Sequence, residues 1–280
     1  MDSGKNRPPF TFERGGRQII GVVHLLPLPG SPRGRPLPEI LGRCTRDASA
    51  LIEGGVDAII VENFGDVPFL PGRVAPETVA AMSLAVANVI ERVSHTRCGV
   101  GVNVLRNDAD SALAIASVTG AQFIRVNVHT SAMLTDQGWI EGRAAETLRR
   151  RASLGHCGAA GSAGKIEIAA DIAVKHALAP AGFNLCEAAR DATARGLADA
   201  VIVTGVATGA PPAEDDLRAV REAVPDAILI AGSGTTRDSV GQILDIADAT
   251  IVGSWLKVDG DVEKEIDLER VRTLVCEARG

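Results

Sequence analysis

Hydrophobic residues along this chain follow two alternating patterns. Short runs, nearly all apolar and rich in β-branched residues, read as parallel strands buried on both faces, and between them lie Ala-rich segments with apolar residues three and four apart, which read as helices. The runs predict strands at Gln18 to His24, Asp57 to Glu62, Gly99 to Val104, Gln122 to Asn127, Lys165 to Asp171, Asp199 to Thr204, Ala227 to Ala231 and Thr250 to Gly253. Helices are predicted at Leu37 to Glu53, Pro76 to Ser94, Asp108 to Thr119, Glu141 to Leu154, Leu185 to Arg195, Ala213 to Ala223, Arg237 to Ala247 and Leu268 to Arg279. Asp108 is placed to cap the third helix, Pro76 suits a first turn, and Gly196 and Pro225 close the fifth and sixth. Eight such alternations predict an α/β fold, a single (β/α)8 TIM barrel over residues 16–280 behind an N-terminal arm, 1–15. A doubly wound open sheet is the alternative, but it would carry a glycine fingerprint after its first strand, where this chain has Val23-His24-Leu25-Leu26-Pro27. Asp-Ala opens four of the runs, at Asp57, Asp199, Asp226 and Asp248, a repeat at the level of one βα unit.

The last two units carry a candidate ligand site. Their strands end in Gly232-Ser233-Gly234-Thr235 and in Gly253-Ser254. Turns of small residues leave backbone N–H groups uncovered beside a helix start, so these are expected to be phosphate-binding loops after strands 7 and 8. The plainer reading is that the glycines only allow close turns and packing.

Polar residues also stand at the carboxyl ends of the other strands: His24, Glu62 and Asn63, Asn103, Arg125 and Asn127, Asp171 followed by Lys175 and His176, and Thr204. An unpaired polar group in a dry interior costs about 1–3 kcal/mol, and the mouth of a barrel is where such groups are used. Asn63 and Thr204 read equally well as strand-edge or capping residues. Glu62 and Asp171 lie three strands apart, so their carboxyl groups are expected to face each other across roughly 6 to 9 Å, as an acid and base flanking a glycosidic centre. Asn103 and Asn127 would orient hydroxyls, with Arg125, Asn63, Thr204 and Asp136 as further substrate contacts. His24 or His176 could shuttle a proton, and Lys175 is the alternative nucleophile, by Schiff base. No cofactor is required by this reading, although Mg²⁺ held by Glu62 and Asp171 would suit phosphate chemistry.

Two strand-to-helix segments are longer than connectors: the proline-rich run from Leu25 to Pro36, and Val128 to Ile140, which carries Met133, Leu134, Trp139 and Ile140. Both are expected to be lids or parts of an interface in a homo-oligomer.

Composition excludes several classes. A net charge of −6, the absence of Tyr and few other aromatics disfavour nucleic-acid binding. Five scattered cysteines suit a reducing cytoplasm and no disulfide framework. No uncharged apolar stretch approaches the roughly 18 residues of a membrane span, and residues 1–15 lack the apolar centre of a secretory signal.

Several motifs resemble the BtpA/SgcQ family: Val22-Val23-His24-Leu25-Leu26-Pro27-Leu28-Pro29-Gly30, Val61-Glu62-Asn63-Phe64-Gly65-Asp66, Gly101-Val102-Asn103-Val104, Arg125-Val126-Asn127-Val128, Thr135-Asp136-Gln137-Gly138, Ala170-Asp171-Ile172-Ala173-Val174-Lys175-His176 and Val203-Thr204-Gly205. The likeness runs from about Gly16 to the end. It implies a phosphate-binding barrel and brings two settings, a photosystem I biogenesis role in a cyanobacterial member and sugar-uptake gene neighbourhoods elsewhere. Residues and resemblance together lead to an enzyme of a phosphorylated sugar or of a ribosyl-phosphate or nucleotide-like substrate, cleaving or transferring a glycosidic bond. The alternatives are a sugar-phosphate isomerase or aldolase-type enzyme, and a non-catalytic assembly factor.

Overall fold

Each apolar run becomes a strand because both of its faces find cover, and the side-chain alternation of a strand sorts them. Ile20, Ile60, Ile202, Ile230 and Ile251 point inward, while Ile19, Val23, Ile59 and Val61 join the layer beneath the helices. The computed structural model describes residues 10–158, 164–174, 177–205 and 212–280. Its eight parallel strands are β1 (Gln18–His24), β2 (Ala58–Glu62), β3 (Gly99–Asn103), β4 (Phe123–Val126), β5 (Glu167–Ala173), β6 (Ala200–Thr204), β7 (Ile228–Gly232) and β8 (Ala249–Val252). They pair in chain order and close through β8 and β1, giving the (β/α)8 TIM barrel. Helices α1 (Leu37–Gly54), α2 (Pro76–Val93), α3 (Ala109–Thr119), α4 (Ala144–Ser153), α5 (Leu185–Arg190), α6 (Glu214–Ala223), α7 (Arg237–Leu244) and α8 (Leu268–Arg279) follow the strands one by one. Asp108 caps α3 by accepting the Ser111 N–H at 3.0 Å.

The Asp-Ala repeat has a structural cause. At the amino end of the barrel, Asp57 accepts the N–H of Ile19, Asp199 that of Ile168 and Asp248 that of Leu229, each at 2.8 Å. Gln122 does the same for Val100 at 2.8 Å. In every case the backbone N–H of the clasping residue returns a bond to the carbonyl of the residue it holds. The residue before each even-numbered strand therefore clasps the odd-numbered strand before it, satisfying a terminal backbone donor that would otherwise lack an acceptor. Asp226 stands before an odd-numbered strand and takes no part.

The same end is filled by aromatic rings. Phe10 and Phe12 pack on Phe123 with centroids 5.6 and 5.0 Å away, and the Phe12 N–H bonds Glu167 at 3.0 Å. Gly99 and Gly101 make room: a Cβ there would lie 2.3 Å from Phe10 and 2.2 Å from Phe123.

Two expectations change at the opposite rim. The run from Val128 to Ile140 is no open loop but a hairpin of Ala132–Thr135 and Gly138–Glu141, to which Ala177–Leu178 adds a third antiparallel strand. Met133 and Ile140 are buried beneath it, so their apolarity serves a small core. Leu134, Trp139 and Leu178 form a row on the exposed face. Because the hairpin takes Glu141, α4 starts at Ala144. The proline-rich run after β1 is fastened rather than lid-like, with Leu28 buried and its N–H bonded to Asp66 at 2.7 Å.

Candidate active site

The period of two that fills the barrel also builds the site. Two residues beyond the inward-facing core, on the same face, come His24 after Val22, Glu62 after Ile60, Arg125 after Phe123, Asp171 after Ala169 and Thr204 after Ile202. The uppermost inward layer is thus polar while the layers below are apolar.

Arg125 organises that layer. Its Nε and Nη2 bond both oxygens of Asp171 at 2.9 and 3.1 Å, and its Nη1 bonds Glu62 Oε1 at 3.1 Å. Burial alone would push the guanidinium down, but Asp171 and Glu62 outweigh it and hold the pKa above its ordinary value. Asn103 Nδ2 donates to Glu62 Oε1 at 3.1 Å and Asn127 Nδ2 to Asp171 Oδ2 at 3.2 Å, while Thr204 Oγ1 donates to Asp171 Oδ1 at 2.7 Å. Asp171, its side chain 0% exposed, thus accepts four hydrogen bonds.

This corrects the expected acid and base pair. The two carboxylates do not flank an open gap, because one guanidinium bridges them, and that same guanidinium takes the place where they would share Mg²⁺. Asp171 has its oxygens engaged and stands outside the cavity, so it positions Arg125, Asn127 and Thr204. Arg125 and Thr204 are likewise held in the network, so their first task is to brace it. Among the described residues no group of three His, Cys, Asp or Glu side chains is arranged to hold a metal.

Above the layer lies a cavity of about 450 Å³ lined by His24, Glu62, Asn103 and Asn127 and reaching the loops after β7 and β8. Glu62 Oε2 faces His24 Nε2 at 4.0 Å. The imidazole packs on Phe64, centroids 4.4 Å apart, and on Gly253, where a Cβ would come within 3.0 Å of its Cε1. Because the carboxylates can only accept, the Asn103 and Asn127 amide groups must turn their NH₂ toward them. Their oxygens are buried and meet no donor among the described residues. Both oxygens are closed off from the cavity, so the two amides serve first to hold Glu62 and Asp171 in place.

The glycine-serine turns divide in two. Ser233 and Gly234 both lie in the left-handed region, at φ +73° and +70°, and line the cavity with Gly253 and Ser254. Among the described residues no acceptor faces the N–H of Gly234 or Ser254, whereas the Ser233 N–H is committed to Ile251 O at 3.1 Å. Gly232 and Thr235 are corrected to structural roles. A Cβ on Gly232 would come within 2.6 Å of Thr204 Oγ1, and Thr235 is buried with its hydroxyl 2.6 Å from that of Thr250.

Asn63 is also structural: its side chain binds the Leu105 N–H at 2.7 Å and Asp66 at 3.1 Å, joining two rim loops. Asp136, at the hairpin tip, does reach the cavity. Lys175 and His176 lie outside the described residues. Arg106, Phe64 and Phe69 line the cavity and were not anticipated. Arg106 is buried, which lowers its pKa, with Asp136 the foremost opposing charge. Its only sequence signal is its place just past the end of a barrel strand.

Residues 16–280 match the BtpA family. The chain belongs to that family. It is similar to the Photosystem I biogenesis protein BtpA of Synechocystis sp., 47% identical over 259 residues that make up 92% of this chain and 86% of that protein. An uncharacterized protein of Thermococcus kodakarensis is 43% identical over 265 residues, 94% of this chain and 95% of that one. Among solved structures, (S)-3-O-geranylgeranylglyceryl phosphate synthase of Thermoplasma acidophilum in complex with sn-glycerol-1-phosphate shares the fold, with a TM-score of 0.58 at 16% identity, covering 94% of this chain and 93% of that one.

Proposed function

We propose that this BtpA-family chain is an enzyme of phosphorylated sugars, with the phosphate on the Gly234 and Ser254 N–H groups and proton transfer by Glu62 with His24. The observation that carries it is the shared cavity: an anion cup and a carboxylate facing an imidazole open into one space. With Asp171 withdrawn, a single carboxylate and a proton shuttle favour isomerisation or aldol-type chemistry over the two-carboxylate cleavage of a glycosidic bond. The glycerol phosphate bound by the Thermoplasma synthase is in keeping with a phosphate ester at this rim. The test is titration of ribose 5-phosphate against the wild type and Gly234→Asp. Aspartate tolerates the left-handed backbone of position 234, so the variant chiefly adds a like charge to the cup and is expected to lose most of the affinity. Equal affinity in both removes the phosphate site.

A second reading, an assembly role of the kind named for the Synechocystis relative, is favoured by the exposed row of Leu134, Trp139 and Leu178. Complementation of a strain lacking that relative separates the two. Rescue by Glu62→Gln as complete as by the wild type would support the assembly role.

A further inference from the structure

The cavity has an aromatic outer wall above its polar floor. The chain has six Phe and no Tyr, and Phe10, Phe12 and Phe123 are used to close the far end of the barrel. Two of the remaining three, Phe64 and Phe69, come from the segment between β2 and α2 and line the cavity beside Val67, with Val262 contributed by the segment before α8. Both rings are half-buried and Val67 is 41% exposed, so the wall still presents apolar surface to whatever enters.

The wall is also fixed in place. Asp66, between the two rings in sequence, accepts the Leu28 N–H and the Asn63 amide. Gly65 lies so close to the segment after β1 that a Cβ would stand 2.4 Å from Pro27 N. Phe64 is further held by its packing on His24. A ring held as Phe64 is cannot fold inward to hide from water, which is the condition under which an incoming flat apolar group gains most. Phe64, Phe69, Val67 and Val262 carry no side-chain donor or acceptor, so the wall reads planarity and apolarity and not a hydrogen-bonding pattern.

We propose that the substrate carries a planar aromatic or heteroaromatic group on its sugar, and that Phe64 and Phe69 hold this group. The assignment rests on the reading of the cavity as a sugar-phosphate site.

Calorimetric titrations with inorganic phosphate, ribose 5-phosphate, adenosine 5′-monophosphate, uridine 5′-monophosphate and adenosine test it. In the wild type at least one nucleotide is expected to bind about tenfold or more tighter than ribose 5-phosphate, since ring stacking tolerates base identity. Phe69→Ala should erase that advantage and leave inorganic phosphate and ribose 5-phosphate unchanged, and Phe69→Leu, which keeps an apolar side chain, should lose most of it. If both nucleotides bind no tighter than ribose 5-phosphate in the wild type, the aromatic site is wrong and the phosphate reading stands. If adenosine binds in a Phe69-dependent way and phosphate adds nothing, the aromatic site stands and the phosphate reading falls. No binding by any probe overturns both.

Discussion

Lys257 donates to Asp47 at 3.0 Å with the two side chains 0% and 1% exposed, three residues past Ser254. Asp47 also accepts Arg43 Nε at 3.0 Å and the Ile266 N–H at 2.8 Å, so one carboxylate on α1 fastens both ends of the segment from Lys257 to Ile266. Burial lowers the Lys257 pKa, with Asp47 opposing. A buried ion pair adds little net stability, and its use here is to fix where the chain leaves the cup.

Asp47→Ala leaves Lys257 and Arg43 buried without their carboxylate and is expected to cost about 3–5 kcal/mol, read from urea unfolding. Replacing the pair together, Asp47→Leu with Lys257→Met, should recover only the part of that loss due to Lys257, because Arg43 and the Ile266 N–H still lack their acceptor. No recovery at all would show that the unpaired Lys257 is not what the single variant loses.

Stability near neutral pH should depend on His129. It is buried with Nε2 2.8 Å from the Gly196 carbonyl oxygen, and burial lowers its pKa from the ordinary 6.5. The unfolded chain then binds the proton more readily, so stability is complete above about pH 6.5 and falls as pH drops through that value toward the lowered one. His129→Gln should flatten this part of a denaturation profile taken between pH 5 and 7.5.

The two bridged carboxylates should separate in thermal unfolding. Asp171→Asn removes an oxygen from a fully buried group that faces three donor residues and is expected to cost about 3–5 kcal/mol. Glu62→Gln keeps an acceptor for Asn103 and Arg125 and should cost about 1 kcal/mol. A reversal of that order would mean that Glu62, and not Asp171, anchors Arg125.

Asp199 holds the Ile168 N–H at 2.8 Å and pairs with Arg151 at 2.6 Å and Lys165 at 2.5 Å. Asp199→Ala should cost about 1–3 kcal/mol. It should also speed hydrogen exchange at the Ile168 amide, whereas Asp199→Asn should protect that amide nearly as well as the wild type.

The barrel was legible because its strands are buried on both faces, so apolar runs alone marked all eight. The hairpin was hidden for the same reason, since Met133, Leu134, Trp139 and Ile140 are all apolar and only the buried or exposed face of each distinguishes them. The polar ends of the strands pointed to the right rim, but not to who bonds whom. That Arg125 reaches both Glu62 and Asp171 depends on closure of the ring, which brings strands 2, 4 and 5 together at one height. Phe64 and Phe69 gave no periodic signal because they stand in an irregular segment.

The four clasps at the amino end also act as a measuring rod. Glu62, Asn127, Thr204 and Gly253 each stand five residues after their own clasp, Asp57, Gln122, Asp199 and Asp248. A slip of one residue in strand pairing turns every inward side chain outward, so each clasp sets from some five residues away which side chain arrives at the rim. Changes to the site can therefore originate at the end of the molecule farthest from it, by a change in count and without any change in the residues that meet a ligand.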